Sequence, residues 1–172
     1  MIFIGGVHGV GKTTFCLNVK EKLGLNFYSA SGLISKYKKH EFPKNKFVSD
    51  IDGNQYKLIS IKKILDEKEN QYLLDGHFCL FDSNGNLQRI NSLFFKELAP
   101  DAIVLLTEEP SIIAERRKQR DAIECNEEDI QICQIAEMEY GKNIADLLSI
   151  PIFILQGSLN INNAIIFIEN IV

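Results

Sequence analysis

The fold of this chain is decided by the stretch Ile4-Gly5-Gly6-Val7-His8-Gly9-Val10-Gly11-Lys12-Thr13-Thr14. From Gly6 to Thr13 it matches G-x-x-x-x-G-K-[ST] at every fixed position, after a short apolar run and at the start of a predicted helix. Glycines let the backbone curl around a phosphate with its N–H groups turned inward, and the helix N-terminus adds partial positive charge. The stretch therefore predicts a phosphate-binding loop. Two alternatives stay open: a glycine-rich turn without a ligand, and a loop that binds nucleotide without catalysing transfer.

The loop supplies most of the expected nucleotide contacts. Lys12 is expected to reach the β- and γ-phosphates, and the Thr13 hydroxyl is placed to ligate Mg²⁺. His8 stands at a variable position of the pattern, where it could also simply fill the loop. ATP and Mg²⁺ are thus the predicted cofactors, and the nucleotide-binding residues expected in the loop are Gly6, His8, Gly9, Val10, Gly11, Lys12, Thr13 and Thr14.

In the rest of the sequence, apolar runs alternate with segments of helical periodicity, which is typical of a parallel sheet covered by helices. Strands are predicted at 2–4, 25–28, 72–75, 102–106 and 152–155, and helices at 12–23, 31–39, 55–68, 127–148 and 162–171, with a further helix starting at Pro110. Asn84-Gly85 predicts the turn of a small hairpin insertion, with strands at 78–81 and 87–90. The expected fold is a three-layer α/β phosphate-loop NTPase domain with a five-stranded parallel core sheet.

Composition limits the remaining possibilities. The 172 residues fit one domain, and 19 basic against 23 acidic residues give a net charge of −4, which does not favour a polyanion or an anionic membrane as partner. The four cysteines are scattered, without metal-ligand spacing. No apolar stretch is long enough for a membrane span, and the amino terminus lacks the pattern of a signal peptide. A cytoplasmic protein is expected.

Arginine is scarce and clustered. The chain has fifteen lysines but four arginines, and three of these, Arg116, Arg117 and Arg120, lie within five positions. Forked guanidinium groups suit the charge that spreads over phosphate oxygens during transfer, so these three are candidate catalytic residues of a short helical lid. The alternative is a solvated basic turn paired with Glu115, Asp121 and Glu124.

Nearly the whole chain resembles the small P-loop kinases of the adenylate kinase-like (nucleoside monophosphate kinase) group, most of all the archaeal-type adenylate kinases. The resemblance lies in the loop and in five further stretches, which are Ser31 to Lys36, Tyr72 to His77, Ile103 to Pro110, Glu115 to Asp121 and Ile152 to Ser158. It implies an acceptor-binding lobe at about 30–70 and a lid at about 115–125.

The resemblance also implies roles for single residues. Asp75 would face the magnesium and His77 the acceptor, while Gln156 would lie near the adenine. Ser31 and Lys36 would bind the acceptor, although the family's acidic residue and arginine are here Leu33 and Lys36, and its acceptor-binding arginine after Asp-Gly is absent. From the residues alone, Asp75 could instead cap a turn, and His77 could be a buried, hydrogen-bonded histidine.

Two features around the expected acceptor lobe have two interpretations each. Gln55, with Asn54, could read a nucleobase edge, or Asp52 or Asn54 could cap the helix that follows. Residues 36–46 carry five lysines, which favour either a solvated helix face or an acceptor rich in phosphate, such as a nucleic-acid end.

We therefore expect ATP-dependent phosphorylation of a small acceptor, most plausibly a nucleoside or deoxynucleoside monophosphate, with Asp75 and the lid arginines as catalytic residues. Three alternatives remain: a kinase of a nucleoside or another metabolite, a kinase of polynucleotide ends, and an ATP-binding regulatory subunit. The sequence does not indicate an oligomeric state.

Overall fold

The computed structural model describes residues 1–38, 47–48 and 50–172. In chain order its elements are β1 (Ile2–Gly5), α1 (Lys12–Leu23), β2 (Asn26–Ser29), α2 (Ala30–Lys38), β3 (Phe47–Val48), α3 (Ile51–Asp66), β4 (Tyr72–Asp75), β5 (Cys79–Asp82), β6 (Leu87–Arg89), α4 (Ser92–Leu98), β7 (Ala102–Thr107), α5 (Pro110–Asp121), α6 (Glu127–Leu148), β8 (Ile152–Gln156) and α7 (Ile161–Glu169).

Five of the strands form one parallel sheet in the order β2-β4-β1-β7-β8. The first strand lies at its centre, with Ile4 opposite Asp75 on one side and Val104 on the other. Because the strands are parallel, their carboxyl ends share one edge of the sheet, and the phosphate loop leaves β1 at that edge. The predicted five-stranded parallel core is confirmed.

The sheet is buried on both faces. Ile2 and Ile4 belong to a core beneath α1, α5 and α7, whereas Phe3 between them belongs to a second core beneath α3, α4 and α6. The same alternation runs through β4 and β7. Continuous apolar strands of this kind are typical of a sheet covered by helices on both sides, which is the predicted three-layer arrangement.

Helix α3 begins earlier than the sequence pattern predicts. The side chain of Asp50 accepts a 2.9 Å hydrogen bond from the Gly53 N–H and so caps a helix that starts at Ile51. The prediction that Asp52 or Asn54 caps this helix is therefore wrong. As a result Asn54 and Gln55 lie inside the helix, one turn from its start.

The predicted hairpin is part of a three-stranded sheet. Strands β5 and β6 pair antiparallel around the Asp82–Asn86 turn, and β3 pairs parallel with β5. Neither β3 nor α4 was predicted, and α4 carries the core residues Phe94, Phe95 and Leu98. The lysine-rich stretch at 36–46 lies mostly outside the described residues. No helix in the described part of the chain is long and apolar enough to cross a membrane.

Candidate active site

The phosphate loop has the backbone that its glycines predict. Gly6 has φ +136° and Gly9 has φ +81°, values that L side chains rarely adopt. A Cβ on Gly6 would lie 2.7 Å from the carbonyl oxygen of Leu106, so β7 approaches the loop too closely for any other residue. A Cβ on Gly9 would lie 3.0 Å from Cγ of Arg117, so α5 packs on the loop.

Lys12 is buried at the start of α1, with 7% of its surface exposed. Its Nζ donates to the carbonyl oxygens of Gly6 at 2.6 Å and Val7 at 3.2 Å, so the ammonium group lies across the mouth of the loop. Burial lowers the pKa of Lys12, and the nearby carboxylates of Asp75 and Glu137 oppose that shift.

Asp75, the last residue of β4, faces this lysine. Its Oδ1 lies 3.8 Å from Lys12 Nζ, and burial raises the pKa of the carboxyl group against the effect of the lysine. The arrangement follows from the topology, since β4 is the neighbour of β1 and both strands end at the same edge. Asp75 thus forms an ion pair with the loop lysine, while its role toward magnesium stays a prediction.

A second buried carboxylate, Glu137 on α6, was not singled out from the sequence. One of its oxygens accepts a 2.8 Å hydrogen bond from the Phe78 N–H, and the other lies 3.2 Å from Nδ1 of His77. Burial raises the pKa of Glu137 to about 7. The rings of His77 and His8 lie 4.1 Å apart. His77 is therefore hydrogen-bonded inside the protein and also lines the cleft, while its contact with the acceptor stays a prediction.

The three clustered arginines have different surroundings. Arg117 Nε donates to the His8 carbonyl oxygen at 2.9 Å, and Arg116 donates to the Val10 carbonyl oxygen at 3.0 Å and to Glu108 at 3.0 Å. Arg120 makes two hydrogen bonds, of 3.0 and 2.6 Å, to its neighbour Asp121. Two arginines thus contact the loop backbone, and Arg120 makes the pairing with Asp121 that the alternative of a solvated basic turn predicts.

One cleft of about 610 Å³ brings most of the predicted site residues together. The predicted residues that line it are His8, Gly9, Gly11, Lys12, Thr13, Thr14, Ser31, Gln55, Asp75, His77, Arg116 and Arg120. Lys36, Arg117 and Gln156 do not line it. Lys36 and Gln156 are both exposed, on α2 and at the end of β8, so their roles toward acceptor and adenine stay predictions.

Oxygen ligands suited to Mg²⁺ are present where the sequence predicts them. Mg²⁺ is usually held by one or two side chains together with substrate phosphates and water. Thr13 and Asp75 both line the cleft, as Lys12 does. Among the described residues no group of three or more His, Cys, Asp or Glu could hold a metal ion.

A parallel sheet with this loop after its central strand and a buried lysine opening the next helix defines a P-loop nucleotide-binding domain. The chain belongs to the family described as AAA domain, whose model matches residues 5–131. A curated relative, "Putative adenylate kinase" of Methanocaldococcus jannaschii, is 30% identical over 122 residues, which are 69% of this chain and 58% of the relative. The chain thus matches little more than half the length of that relative.

Solved kinase structures share the fold. A shikimate kinase from Bacteroides thetaiotaomicron superposes with a TM-score of 0.58 at 15% identity, covering 98% of this chain and 95% of that one. A deoxyadenosine kinase from M. mycoides gives 0.57 at 20% identity, covering 98% and 97%. A gluconokinase from Sinorhizobium meliloti 1021 gives 0.54 at 16% identity, covering 95% and 86%. The predicted fold, that of a small P-loop kinase, is confirmed.

Proposed function

We propose that this chain binds ATP with Mg²⁺ on the phosphate loop and transfers the γ-phosphoryl group to a small acceptor in the same cleft. The observation that carries the proposal is the continuity of the cleft, which runs from Lys12 and Thr13 past Asp75 to apolar side chains beneath α3. Phosphoryl transfer needs positioning and charge stabilisation rather than a protein nucleophile. A cleft with phosphate-binding groups at one end and room for an acceptor at the other supplies both.

In this proposal Lys12 holds the donor phosphates. The carbonyl oxygens of Gly6 and Val7 now accept its hydrogen bonds and orient its ammonium group at the loop. Thr13 and Asp75 would hold Mg²⁺, which neutralises charge on the phosphate oxygens when bound. Asp75 also keeps Lys12 charged in a buried position, because an opposite charge favours the ammonium form.

Arg116 and Arg120 are proposed to stabilise the transferring phosphoryl group, since both line the cleft. Arg117 is proposed to act indirectly, by fixing the loop backbone at His8. Residues 115–125 would then move as a lid when ATP is bound, and Arg116 and Arg120 would exchange Glu108 and Asp121 for phosphate oxygens.

For the acceptor we propose a nucleoside-based molecule. The resemblance to the adenylate kinase-like group favours a nucleoside or deoxynucleoside monophosphate, and a relative named as an adenylate kinase supports this. A specific observation favours the nucleoside itself: among described residues, the lysines and arginines that line the cleft lie on α1 and α5 and not on α2 or α3; they are Lys12, Arg116 and Arg120. Lys36, the cation expected at the acceptor phosphate, lies outside the lining.

The proposed site of action is the cytoplasm, where thiols stay reduced. In support, all four cysteines are free.

A coupled assay of ADP production tests the proposal. The purified chain is given ATP, Mg²⁺ and, one at a time, the common nucleosides, deoxynucleosides and their monophosphates. We expect ADP formation that depends on at least one acceptor. ADP formation that is the same with and without every acceptor would contradict the proposal and favour an ATP-binding regulatory subunit.

A further inference from the structure

Beyond the phosphate loop, the cleft is lined mostly by apolar side chains. Its walls come from the sheet, α2, α3, the β5–β6 hairpin and α4, and they are mostly apolar. A flat, weakly polar group fits such walls, because burying apolar surface is favourable whereas burying an unpaired charge is costly. The apolar side chains that line it include Phe3, Ile34, Leu58, Leu80, Ile90 and Phe94.

One stripe of side chains on helix α3 lines this part of the cleft. The stripe consists of Ile51, Asn54, Gln55 and Leu58, which are spaced i, i+3, i+4 and i+7 and all line the cleft. Residues at that spacing share one face of a helix. Two amide side chains therefore stand between two apolar ones on the face that covers the acceptor end.

One polar atom of each amide lacks a hydrogen-bond partner among the described residues. Oδ1 of Asn54 and Nε2 of Gln55 are buried and have no hydrogen-bond partner among the described residues. Asn54 is 7% exposed, so its side chain is more than nine-tenths buried. An acceptor and a donor left unpaired in a protein interior cost stability, and such groups in native structures usually have a purpose. Rotation about the terminal amide torsions, which are soft, would bring either atom to a ligand in the cleft.

We infer that Asn54 and Gln55 read the edge of an uncharged nucleobase and that the acceptor is a nucleoside, with a free hydroxyl group, rather than a nucleoside monophosphate. The inference rests on the proposed function and names the substrate of the same site. A nucleobase offers adjacent hydrogen-bond donors and acceptors on a flat ring, which complements two adjacent amides between apolar walls. The ring would lie against Phe3 and Leu58, with its polar edge toward α3.

The reaction at such an acceptor balances without a further reagent. The nucleoside hydroxyl oxygen forms a bond to the γ-phosphorus of ATP while the bond from that phosphorus to the β,γ-bridging oxygen breaks. ADP leaves, and the hydroxyl proton passes to water. The products are ADP and a nucleoside monophosphate.

Two substitutions test the amides. Asn54→Leu keeps the number of side-chain heavy atoms and Gln55→Met keeps the side-chain length, and both remove the hydrogen-bonding groups. Each should raise the KM for the nucleoside at least about tenfold, with the KM for ATP changed less than about twofold. The matched control is Tyr56→Leu on the same helix, because Tyr56 is 71% exposed and does not line the cleft; its KM values should stay unchanged.

Thermal unfolding distinguishes a base-binding role of Asn54 from a structural role. Removing an unpaired buried polar atom should leave Tm unchanged or raise it, so Asn54→Leu should be as stable as the wild type or more stable while binding the acceptor worse. A lower Tm with an unchanged nucleoside KM would overturn the role assigned to Asn54.

Comparison of each nucleoside with its own 5′-monophosphate tests the substrate class. We expect kcat/KM for the preferred nucleoside to exceed that for its monophosphate at least about tenfold, and a free sugar to be a poor acceptor. Preference for the monophosphate, or for the sugar, would overturn this inference while leaving the proposed phosphoryl transfer intact. Absence of transfer to any acceptor would instead overturn the proposed function itself.

Discussion

Glu137 on α6 lies against His77 in the loop after β4, with 3.2 Å between its Oε1 and Nδ1 of the histidine. The other carboxylate oxygen accepts the Phe78 N–H, so one buried acid fixes the chain where it leaves the sheet at the cleft. This contact joins α6 to the wall of the cleft. It also places a further ionisable group near Lys12.

The first prediction concerns the pH dependence of stability. Burial raises the pKa of Glu137 from 4.5 to about 7, so the native state binds this proton more tightly than the unfolded chain. The contribution of Glu137 to the free energy of unfolding is thus fully present below pH 4.5 and is lost as the pH rises through 7. Glu137→Gln cannot titrate and should escape that loss, which amounts to about 3 kcal/mol for a shift of this size.

Urea unfolding of both proteins between pH 4.5 and 8 measures this difference. The free energy of unfolding of Glu137→Gln, relative to that of the wild type, should rise between pH 4.5 and 7 and level off above pH 7. Asp75 is retained in both proteins, so its own titration largely cancels in the comparison. If the free energies of unfolding of the two proteins change with pH in the same way, the Glu137 carboxyl group has an ordinary pKa in the folded protein.

The second prediction concerns Lys12. Lys12→Ala should lower kcat/KM at least about a thousandfold, because it removes the buried cation at the donor phosphates. The wild-type circular dichroism spectrum should be kept, since the substitution also relieves the burial of a charge. Lys22→Ala on the same helix is the matched control, because Lys22 lies outside the cleft and bonds Asn162. Equal losses in the two variants would refute a specific role for Lys12.

The third prediction separates the arginines. Arg117→Ala should raise the KM for ATP about tenfold or more and lower Tm, because a charge-assisted hydrogen bond to the loop backbone is lost. Arg120→Ala should lower kcat about a hundredfold or more with little effect on the KM for ATP, because its proposed contact forms as the phosphoryl group moves.

Arg89→Ala serves as the control for both variants. Arg89 is an exposed arginine that lies over the ring of Tyr140, outside the cleft, and its loss should leave the kinetic constants unchanged. If Arg117→Ala and Arg120→Ala shift the same constant to the same extent, the division between a loop-fixing and a catalytic arginine is wrong.

The fourth prediction concerns the metal. Removing Mg²⁺ with EDTA should stop transfer, and Thr13→Val should raise the Mg²⁺ concentration needed for half-maximal activity about tenfold or more. Thr13→Ser keeps the hydroxyl ligand and should restore the wild-type requirement. A titration of activity against Mg²⁺ measures this. The same Mg²⁺ requirement in Thr13→Val and Thr13→Ser would remove Thr13 from the proposed metal site.

The sequence predicted the parts of the molecule that depend on local pattern. Residues near one another in the chain predict the phosphate loop, the buried parallel strands and the helix starting at Pro110. Glu137 was missed because its partners, His77 and Phe78, are some sixty positions away and its own helix carries many other acids.

The acceptor end of the cleft was only partly predictable from the sequence. The helix cap at Asp50, one turn earlier than expected, sets which residues of α3 face the cleft. The sequence could have revealed the stripe, since Ile51, Asn54, Gln55 and Leu58 follow helical spacing. It could not have shown that Oδ1 of Asn54 and Nε2 of Gln55 lack hydrogen-bond partners, because that depends on the packing of α3 against α2 and α4.

The most direct test of phosphoryl transfer follows the phosphate itself. ATP labelled at the γ-phosphate is incubated with Mg²⁺, the chain and the preferred acceptor, and the products are resolved by mass spectrometry. We predict that the label appears on the acceptor with the wild type, in an amount equal to the ADP formed, and is absent with Lys12→Ala. Label recovered only as inorganic phosphate, at the same rate with and without acceptor, would contradict the account.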